Sequence, residues 1–283
     1  MLHGPTPEPA ASPSPRGARA CPVCSGTASR PHHFSDDDWR VVQCCDCGMI
    51  FLSNPPAQLT LHDEHAWEHT KISERAKRRE GRRVYYFFSD GLKKLKHLLR
   101  GTGRSELKII RRLCPAGGAL LDVGCAGGGT LVALAEGDWK LSGIEPSPAL
   151  AASAQEFCAA HGGRVECATA VDGLPQFPAA YFDLVVMRSY LEHEAHAAEV
   201  LREVARVLKP GGSALIKVPN AACWSARLRG PRWPGVRHPD HVNYFTPRHL
   251  RRLVLDCGYG RCRFGFIGRL PTSDNLWATA SPA

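Results

Sequence analysis

An apolar run, Leu120-Leu-Asp-Val123, stops at Gly124 and passes through Cys125 and Ala126 into three consecutive glycines. A strand that enters a glycine turn and then a helix lets backbone approach a ligand closely, as a nucleotide-type cofactor requires. Glu145 lies twenty-three residues after Asp122, at the end of the next apolar run. An acid placed there can accept hydrogen bonds from both hydroxyls of a ribose. The loop alone leaves the cofactor open, because Gly124-Cys-Ala126-Gly-Gly-Gly129 also fits the dinucleotide fingerprint G-x-A-x-x-G of dehydrogenases.

From Gly118 onward, strand and helix patterns alternate. Strands are expected over 119–123, 140–144, 164–168, 182–187, 213–218, 259–267 and 276–280. Helices are expected over 130–136, with Thr130 near the N-cap, and over 148–160, 197–208 and 247–257. Lys209-Pro-Gly-Gly212 reads as the stop of the third helix. This order predicts an α/β fold, doubly wound, with a mostly parallel seven-stranded sheet covered on both faces.

Ahead of that domain, Cys21-Pro-Val-Cys24 and Cys44-Cys-Asp-Cys47-Gly48 form two C-x-x-C knuckles nineteen residues apart. Each knuckle offers two thiolates to one ion, and two knuckles complete the tetrahedral set of a structural zinc ribbon. Cys21, Cys24, Cys44 and Cys47 are therefore the expected ligands, with His32 and His33 the only rivals, and four thiolates leave no open position for chemistry. Chance pairing in a chain of twelve cysteines is the bland alternative. The other eight show no framework spacing, which points to free thiols in a reducing cytoplasm.

The 283 residues divide into a Pro- and Ala-rich disordered leader (1–20), the zinc ribbon (21–58), a basic helical connector or lid (59–115) and the α/β domain (116–283). Between Lys71 and Arg112, fifteen Lys and Arg face four Asp and Glu, a local excess larger than the whole chain's net charge of +9. Any anionic partner would meet that segment. It carries a leucine stripe (Leu92, Leu95, Leu98, Leu99), a second one (Ile109, Ile110, Leu113) and the cluster Tyr85-Tyr-Phe-Phe88. Three readings compete for it: a solvated helical face docked by its stripe, a patch for an anionic or carrier-bound substrate, and a nucleic-acid surface. No run approaches the roughly 18 apolar residues of a membrane span, and no apolar signal segment opens the chain. Asn54-Pro-Pro56 reads as a turn leaving the ribbon, because Ala57 fills the position an amino-methylating motif gives to an aromatic.

The combination of Leu121-Asp-Val-Gly-Cys-Ala-Gly127, Gly143-Ile-Glu-Pro-Ser147, Phe182-Asp-Leu-Val-Val186, Leu191-Glu-His193 and Val207-Leu-Lys-Pro-Gly-Gly212 resembles the class I S-adenosylmethionine-dependent methyltransferases over roughly residues 118–270. The cysteine module and His238-Pro-Asp-His241-Val-Asn-Tyr-Phe-Thr246 resemble a bacterial subgroup with an N-terminal zinc ribbon. The resemblance implies a Rossmann-like methyltransferase sheet binding S-adenosylmethionine. Asp122, Gly124, Ala126 and Gly128 would pass beneath its methionine part, Glu145 would hold the ribose, and Pro146 would lie beside the adenine. Thr169 and Ala170 would face the adenine amine, and Arg188 would line the other side. Ala126 stands where the family usually has its second glycine, and Thr169 where it often has Asp.

A sulfonium methyl is already electrophilic, so the protein's share is alignment, exclusion of water and, for a high-pKa oxygen, removal of a proton. His193, after the fourth strand, and His241, in an insertion over 224–246 that reads as a substrate lid, are the candidate bases. Against them stand structural roles: a helix cap for His193 and a loop hydrogen bond for His241. A metal pair of His238 and His241 lacks a third ligand nearby in sequence. The expected function is methyl transfer to a small-molecule acceptor, a specialised metabolite or sugar-bearing precursor, at oxygen before nitrogen or carbon. The alternatives are an RNA methyltransferase and a non-catalytic binding protein that kept the fold.

Overall fold

The computed structural model describes residues 19–56, 105–265 and 270–283. The leader through residue 18 and most of the basic segment (57–104), with its aromatic cluster and first leucine stripe, lie outside the described residues. Three short strands come first: β1 (Ser29–Pro31), β2 (Val41–Cys44) and β3 (Ile50–Leu52). Helix α1 (Ser105–Leu113) then leads into β4 (Gly118–Val123), α2 (Gly129–Val132) and β5 (Trp139–Ile144). Next follow α3 (Pro148–Ala160), β6 (Val165–Glu166), α4 (Ala170–Gly173) and β7 (Phe182–Arg188). The remainder is α5 (Ala197–Val207), β8 (Leu208–Pro219), α6 (Trp224–Arg229), β9 (Asn243–Tyr244), α7 (Pro247–Asp256), β10 (Tyr259–Phe264) and β11 (Asn275–Pro282).

Seven strands form one sheet in the order β10-β11-β8-β7-β4-β5-β6. The pairs among β4 to β8 are parallel, and β11 runs antiparallel to both of its neighbours. Every residue of β4 after Gly118 is buried, as a parallel strand covered on both faces requires. Side chains alternate between the faces. Leu121, Val123, Val185 and Met187 pack with Leu201, Val204 and Leu250, while Leu120, Leu184, Val186 and Leu215 pack with Ile110, Ala154 and Cys158. Helix α3 begins on Pro148 and buries only Ala151, Ala154 and Cys158, small side chains that let its axis lie close to the sheet. The chain goes one way from β4, to β5 and β6, then returns to β7 on β4's other side. Such a reversal opens a crevice at the C-terminal ends of the two strands.

Local expectations needed three corrections. The helix expected over 130–136 is the single turn α2, after which Leu134 and Ala135 bond back three residues and Gly137 closes a turn on Leu134. That tighter path buries both Leu131 and Leu134 completely. Lys209-Pro-Gly-Gly212 does not separate a helix from a strand. It lies inside β8, where Phe182 pairs with Leu208, the register shifts, and Gly211 takes φ 82 to absorb the irregularity. The third strand shrinks to Val165–Glu166, because only those two residues reach a partner, Gly143 and Ile144 of β5.

A second sheet has the order β1-β2-β3-β9, and β9 comes from the 224–246 insertion. Ile50 pairs with Tyr244 and Phe51 with Asn243, so the stretch read as a lid is stitched to the cysteine module. Phe34, Val41 and Leu52 share a small core with Trp233, Val242 and Tyr244. Arg19, which its composition had placed in the disordered leader, is instead an anchoring side chain. Its guanidinium donates to the carbonyls of Leu52 (2.8 Å), Ala195 (3.2 Å) and Val242 (2.6 Å). Among the described residues no helix is long and apolar enough to cross a membrane.

Candidate functional site

At the end of β4 the chain turns through Gly124 (φ 74), Ala126 (φ 48) and Gly128 (φ 80). The amides of Gly124 and Cys125 both donate to the Ile144 carbonyl, at 2.9 and 3.1 Å, and so pin the bend to the end of β5. A Cβ on Gly124 would stand 2.9 Å from Cδ2 of Tyr190, so glycine is demanded there by both conformation and space. Ala126 keeps its methyl and adopts the left-handed conformation itself, at a cost of about 1–2 kcal/mol.

Glu145 and the bend meet directly. One carboxylate oxygen accepts from the Ala126 amide at 2.9 Å and the other from the Ser147 amide at 3.0 Å. Asp122 is buried beneath them, and burial pushes its carboxyl up to about 7, with Glu106 and Glu145 adding to the rise and Arg188 and the Thr130 hydroxyl opposing it. Arg188 reaches from β7 to within 3.4 Å of Glu106 on α1. Burial raises the Glu106 carboxyl as well. Thr169 caps α4: its hydroxyl accepts from the Asp172 amide and donates to the Asp172 carboxylate at 2.7 Å. Ala170, beside it, is buried, and Pro146 follows Glu145 at the mouth of the bend.

Beyond β7 the chain turns at Ser189 (φ 55), whose hydroxyl accepts from the Lys217 ammonium at 2.6 Å. Burial lowers Lys217's pKa, with Glu192 opposing the shift. Tyr190 follows and donates its hydroxyl to Glu194 at 2.5 Å. Glu192 is 2 % exposed, and its Oε2 has no hydrogen-bond partner among the described residues. Burial pushes that carboxyl up to about 7 against the pull of Lys217 and Arg237.

His193 and His241 come together here, edge to face, with ring centroids 4.7 Å apart. The Nδ1 of His193 lies 2.9 Å from the Asp240 carbonyl and that of His241 2.8 Å from the Gly235 carbonyl. A carbonyl only accepts, so each Nδ1 carries the proton and each Nε2 is the basic nitrogen. Burial, aided by His193 and Arg237, holds His241 well below the usual histidine range, so it is neutral at pH 7. The structure separates His238 from this group: its Nε2 donates to the Phe34 carbonyl at 2.8 Å. The third ligand that spacing did not offer His241 is present in space, because Glu192, His193 and His241 bring one ligand atom each to within 4.8 Å of one another.

The same convergence holds for Cys21, Cys24, Cys44 and Cys47. Their sulfurs approach to 3.5 Å in the pairs Cys21–Cys47 and Cys24–Cys44, and none forms a disulfide. In the sequence Glu192 stands out only within Leu191-Glu-His193, and Glu106, Tyr190 and Lys217 belong to no motif given above. Of these, only Lys217 carried a local signal, an ammonium near the end of an apolar strand; nothing in the pattern around Glu106 or Tyr190 marks them.

A methyltransferase-domain family model matches residues 93–260. The ubiquinone biosynthesis O-methyltransferase of Xanthomonas axonopodis pv. citri is 32% identical over 179 residues, covering 60% of this chain and 73% of that protein. The protein of the same name from Methylococcus capsulatus is 28% identical over 173 residues, covering 58% and 73%. Among solved structures, an S-adenosylmethionine-dependent methyltransferase of Thermotoga maritima, described as a possible histamine N-methyltransferase, shares the fold with a TM-score of 0.50 at 20% identity, over 71% of this chain and 99% of that one. With the glycine bend, its carboxylate and the reversed strand order already in place, these matches make the chain a member of the methyltransferase-domain family and an S-adenosylmethionine-dependent methyltransferase.

Proposed function

We propose that the chain transfers the cofactor's methyl group to a hydroxyl oxygen of a small-molecule acceptor, with Glu192, His193 and His241 on the acceptor side. One observation carries this reading. The loop bearing Glu192 and His193 begins at Tyr190, whose ring lies against Gly124 of the glycine bend, so the loop adjoins the bend. The names of the two relatives, both O-methyltransferases, support oxygen as the acceptor atom. A hydroxylated metabolite or sugar-bearing precursor fits, and an anionic or carrier-bound acceptor would add contacts to the basic segment after Lys71.

The residues present fit the cofactor. Gly124 and Gly128 hold a left-handed bend, and a side chain at Gly124 would intrude on Tyr190. When bound, S-adenosylmethionine supplies a sulfonium-activated methyl. The chain's own groups hold and align. Glu145 takes the ribose hydroxyls, Pro146 and Ala170 line the adenine with Thr169 at its rim, and Asp122, Ala126, Gly128 and Arg188 surround the methionine part. His241, or His193 beside it, accepts the acceptor's hydroxyl proton at Nε2, and the buried Glu192 carboxylate stabilises the imidazolium that results. Exclusion of water by the surrounding core strengthens that interaction.

The cysteine module is a zinc ribbon in this proposal. Cys21, Cys24, Cys44 and Cys47 supply four soft ligands with no open position, so the ion holds shape and takes no part in the reaction. Free cysteines throughout fit a reducing cytoplasm.

The test is an acceptor screen with isotope-labelled methyl cofactor, run on phenols, sugar hydroxyls, carrier-bound acids and transfer or ribosomal RNA. O-methylated small-molecule product is expected, and its rate should fall at least tenfold in Glu192→Gln and His241→Ala. Label found only in RNA, with a strong salt dependence of binding, would replace this reading with the RNA one. Cofactor binding without transfer to any arm would leave the non-catalytic reading.

A further inference from the structure

The carboxylate of Glu192 lacks a hydrogen-bond partner at Oε2 among the described residues, whereas its backbone is engaged. That backbone is held from one side. The amides of Val242 and Asn243 both donate to the Glu192 carbonyl, at 2.8 and 3.1 Å. The Asn243 side chain caps the loop twice more, donating from Nδ2 to the carbonyls of Leu191 (2.8 Å) and Glu194 (2.7 Å). Its Oδ1 accepts from Arg19 at 2.9 Å. Arg19 also reaches the Ala195 carbonyl, so one guanidinium and one amide together engage the carbonyls of residues 191, 194 and 195.

Both donors belong to the cysteine module's side of the molecule. Asn243 lies in β9, which pairs with β3, and the Leu52 amide extends that pairing by donating to Val242 at 3.0 Å. Arg19 stands two residues before Cys21. Its own amide donates to Ser53 at 3.0 Å and its Nε to Leu52 at 2.8 Å, next to the strand that follows the second knuckle. A second tie runs from His249 on α7, whose Nε2 lies 3.0 Å from the carbonyl of Cys47. The module is too small to build a large core of its own, so the path of residues 19–21 and of β3 depends on what gathers the four cysteines.

We propose that Arg19 and Asn243 are positioning residues that transmit the folded state of the cysteine module to the 190–196 loop, setting Glu192 and His193 for the acceptor. The inference rests on the acceptor-side role given to those two residues above. Besides its contact with Tyr190, the glycine bend has anchors of its own in the Ile144 carbonyl and Glu145, so the cofactor half largely keeps its geometry when this link is cut. Module integrity then governs the rate of transfer and leaves cofactor affinity alone. Misplacing a reacting group by about 1 Å costs on the order of 100-fold in rate.

The experiment measures amide hydrogen exchange of residues 190–196 together with cofactor affinity by calorimetry, on the full chain. The samples are wild type, wild type treated with a zinc chelator, Arg19→Leu, Arg19→Lys and Asn243→Ala. Chelation, Arg19→Leu and Asn243→Ala are each expected to speed exchange in 190–196 about tenfold or more, with the cofactor dissociation constant moving less than about threefold. Arg19→Lys, which keeps the charge without the forked donors, should fall between. Where an acceptor is in hand, kcat falls in the same order while the KM for cofactor holds. Exchange in 190–196 that stays at the wild-type rate while the module itself exchanges faster would overturn the proposal. So would loss of cofactor binding in step with exchange, because that marks general unfolding. If Arg19→Leu does not fold, the chelated wild type and Asn243→Ala still decide. Failure of the acceptor reading would read differently: exchange would respond as expected with no methyl transferred to any acceptor.

Discussion

The Ala126 amide donates to a carboxylate oxygen of Glu145 at 2.9 Å, joining the bend after β4 to the acid that follows β5. Two motifs nineteen residues apart are thereby one preorganised unit, and the Glu145 carboxylate is oriented before any ligand arrives. Hydrogen bonds to a charged group are worth about 1.5–3 kcal/mol. Glu145→Ala should therefore weaken cofactor binding by about 10- to 100-fold in a calorimetric titration. Binding within twofold of wild type would show that the acid does not touch the cofactor.

Ala126 and Gly124 sit in similar backbone conformations and predict opposite mutational signs. Ala126→Gly relieves a left-handed alanine, partly offset by glycine's greater unfolded-state entropy, and should stabilise the fold by up to about 1 kcal/mol. Gly124→Ala adds both that strain and a contact with Tyr190, and should destabilise by about 1–3 kcal/mol. Urea unfolding of the two variants beside wild type measures both. Equal signs would mean the bend is not held as described.

Buried carboxylates raised to about 7 make stability depend on pH with a definite sign. Between the ordinary carboxylate range near 4 and pH 7, native Asp122 binds a proton that the unfolded chain has lost, so its contribution falls as pH rises through that window. Asp122→Asn removes this dependence and should gain stability relative to wild type on going from pH 5 to pH 8. A cation bound beside Asp122 favours the ionised form, so cofactor affinity in the wild type should rise through pH 7. A flat difference between the two proteins across that range would count against a buried, protonated Asp122.

His241 has the opposite sign, because its folded value lies well below its unfolded one. As pH falls through about 6.5 the unfolded chain gains a proton that the native state refuses, and stability is lost. His241→Gln should abolish that part of the acid sensitivity, read as a smaller loss of unfolding free energy between pH 7 and pH 5.

Metal content separates the four clustered cysteines from the fifth. Cys45 adjoins Cys44 but is exposed and stands outside the cluster. Cys47→Ser should lose the zinc measured by elemental analysis and unfold the module, whereas Cys45→Ser should keep one zinc per chain. Equal zinc in both variants would remove the ribbon assignment.

Legibility in the sequence followed the range of the interactions involved. Helix α3 runs from Pro148 to Ala160 as its pattern predicts, because a proline start, an alanine-rich body and Gly162-Gly163 are all local signals. The helix expected after the bend shrank to one turn because burial of Leu131 and Leu134 outweighed local preference. Strand β9 is two residues long and carries no pattern of its own; its partner, β3, lies about 190 residues away in the chain.

By itself, the order of apolar runs, glycines and paired cysteines determined the sheet, the bend with its acid and the four-thiol cluster, since strand period, left-handed turns and knuckle spacing are encoded within a few residues. Tertiary structure alone decided that the cysteine module and the insertion share a sheet, that Glu192 joins His193 and His241, and that Arg19 belongs to the fold. Those facts depend on which distant backbone groups find each other when both must satisfy their hydrogen bonds away from water.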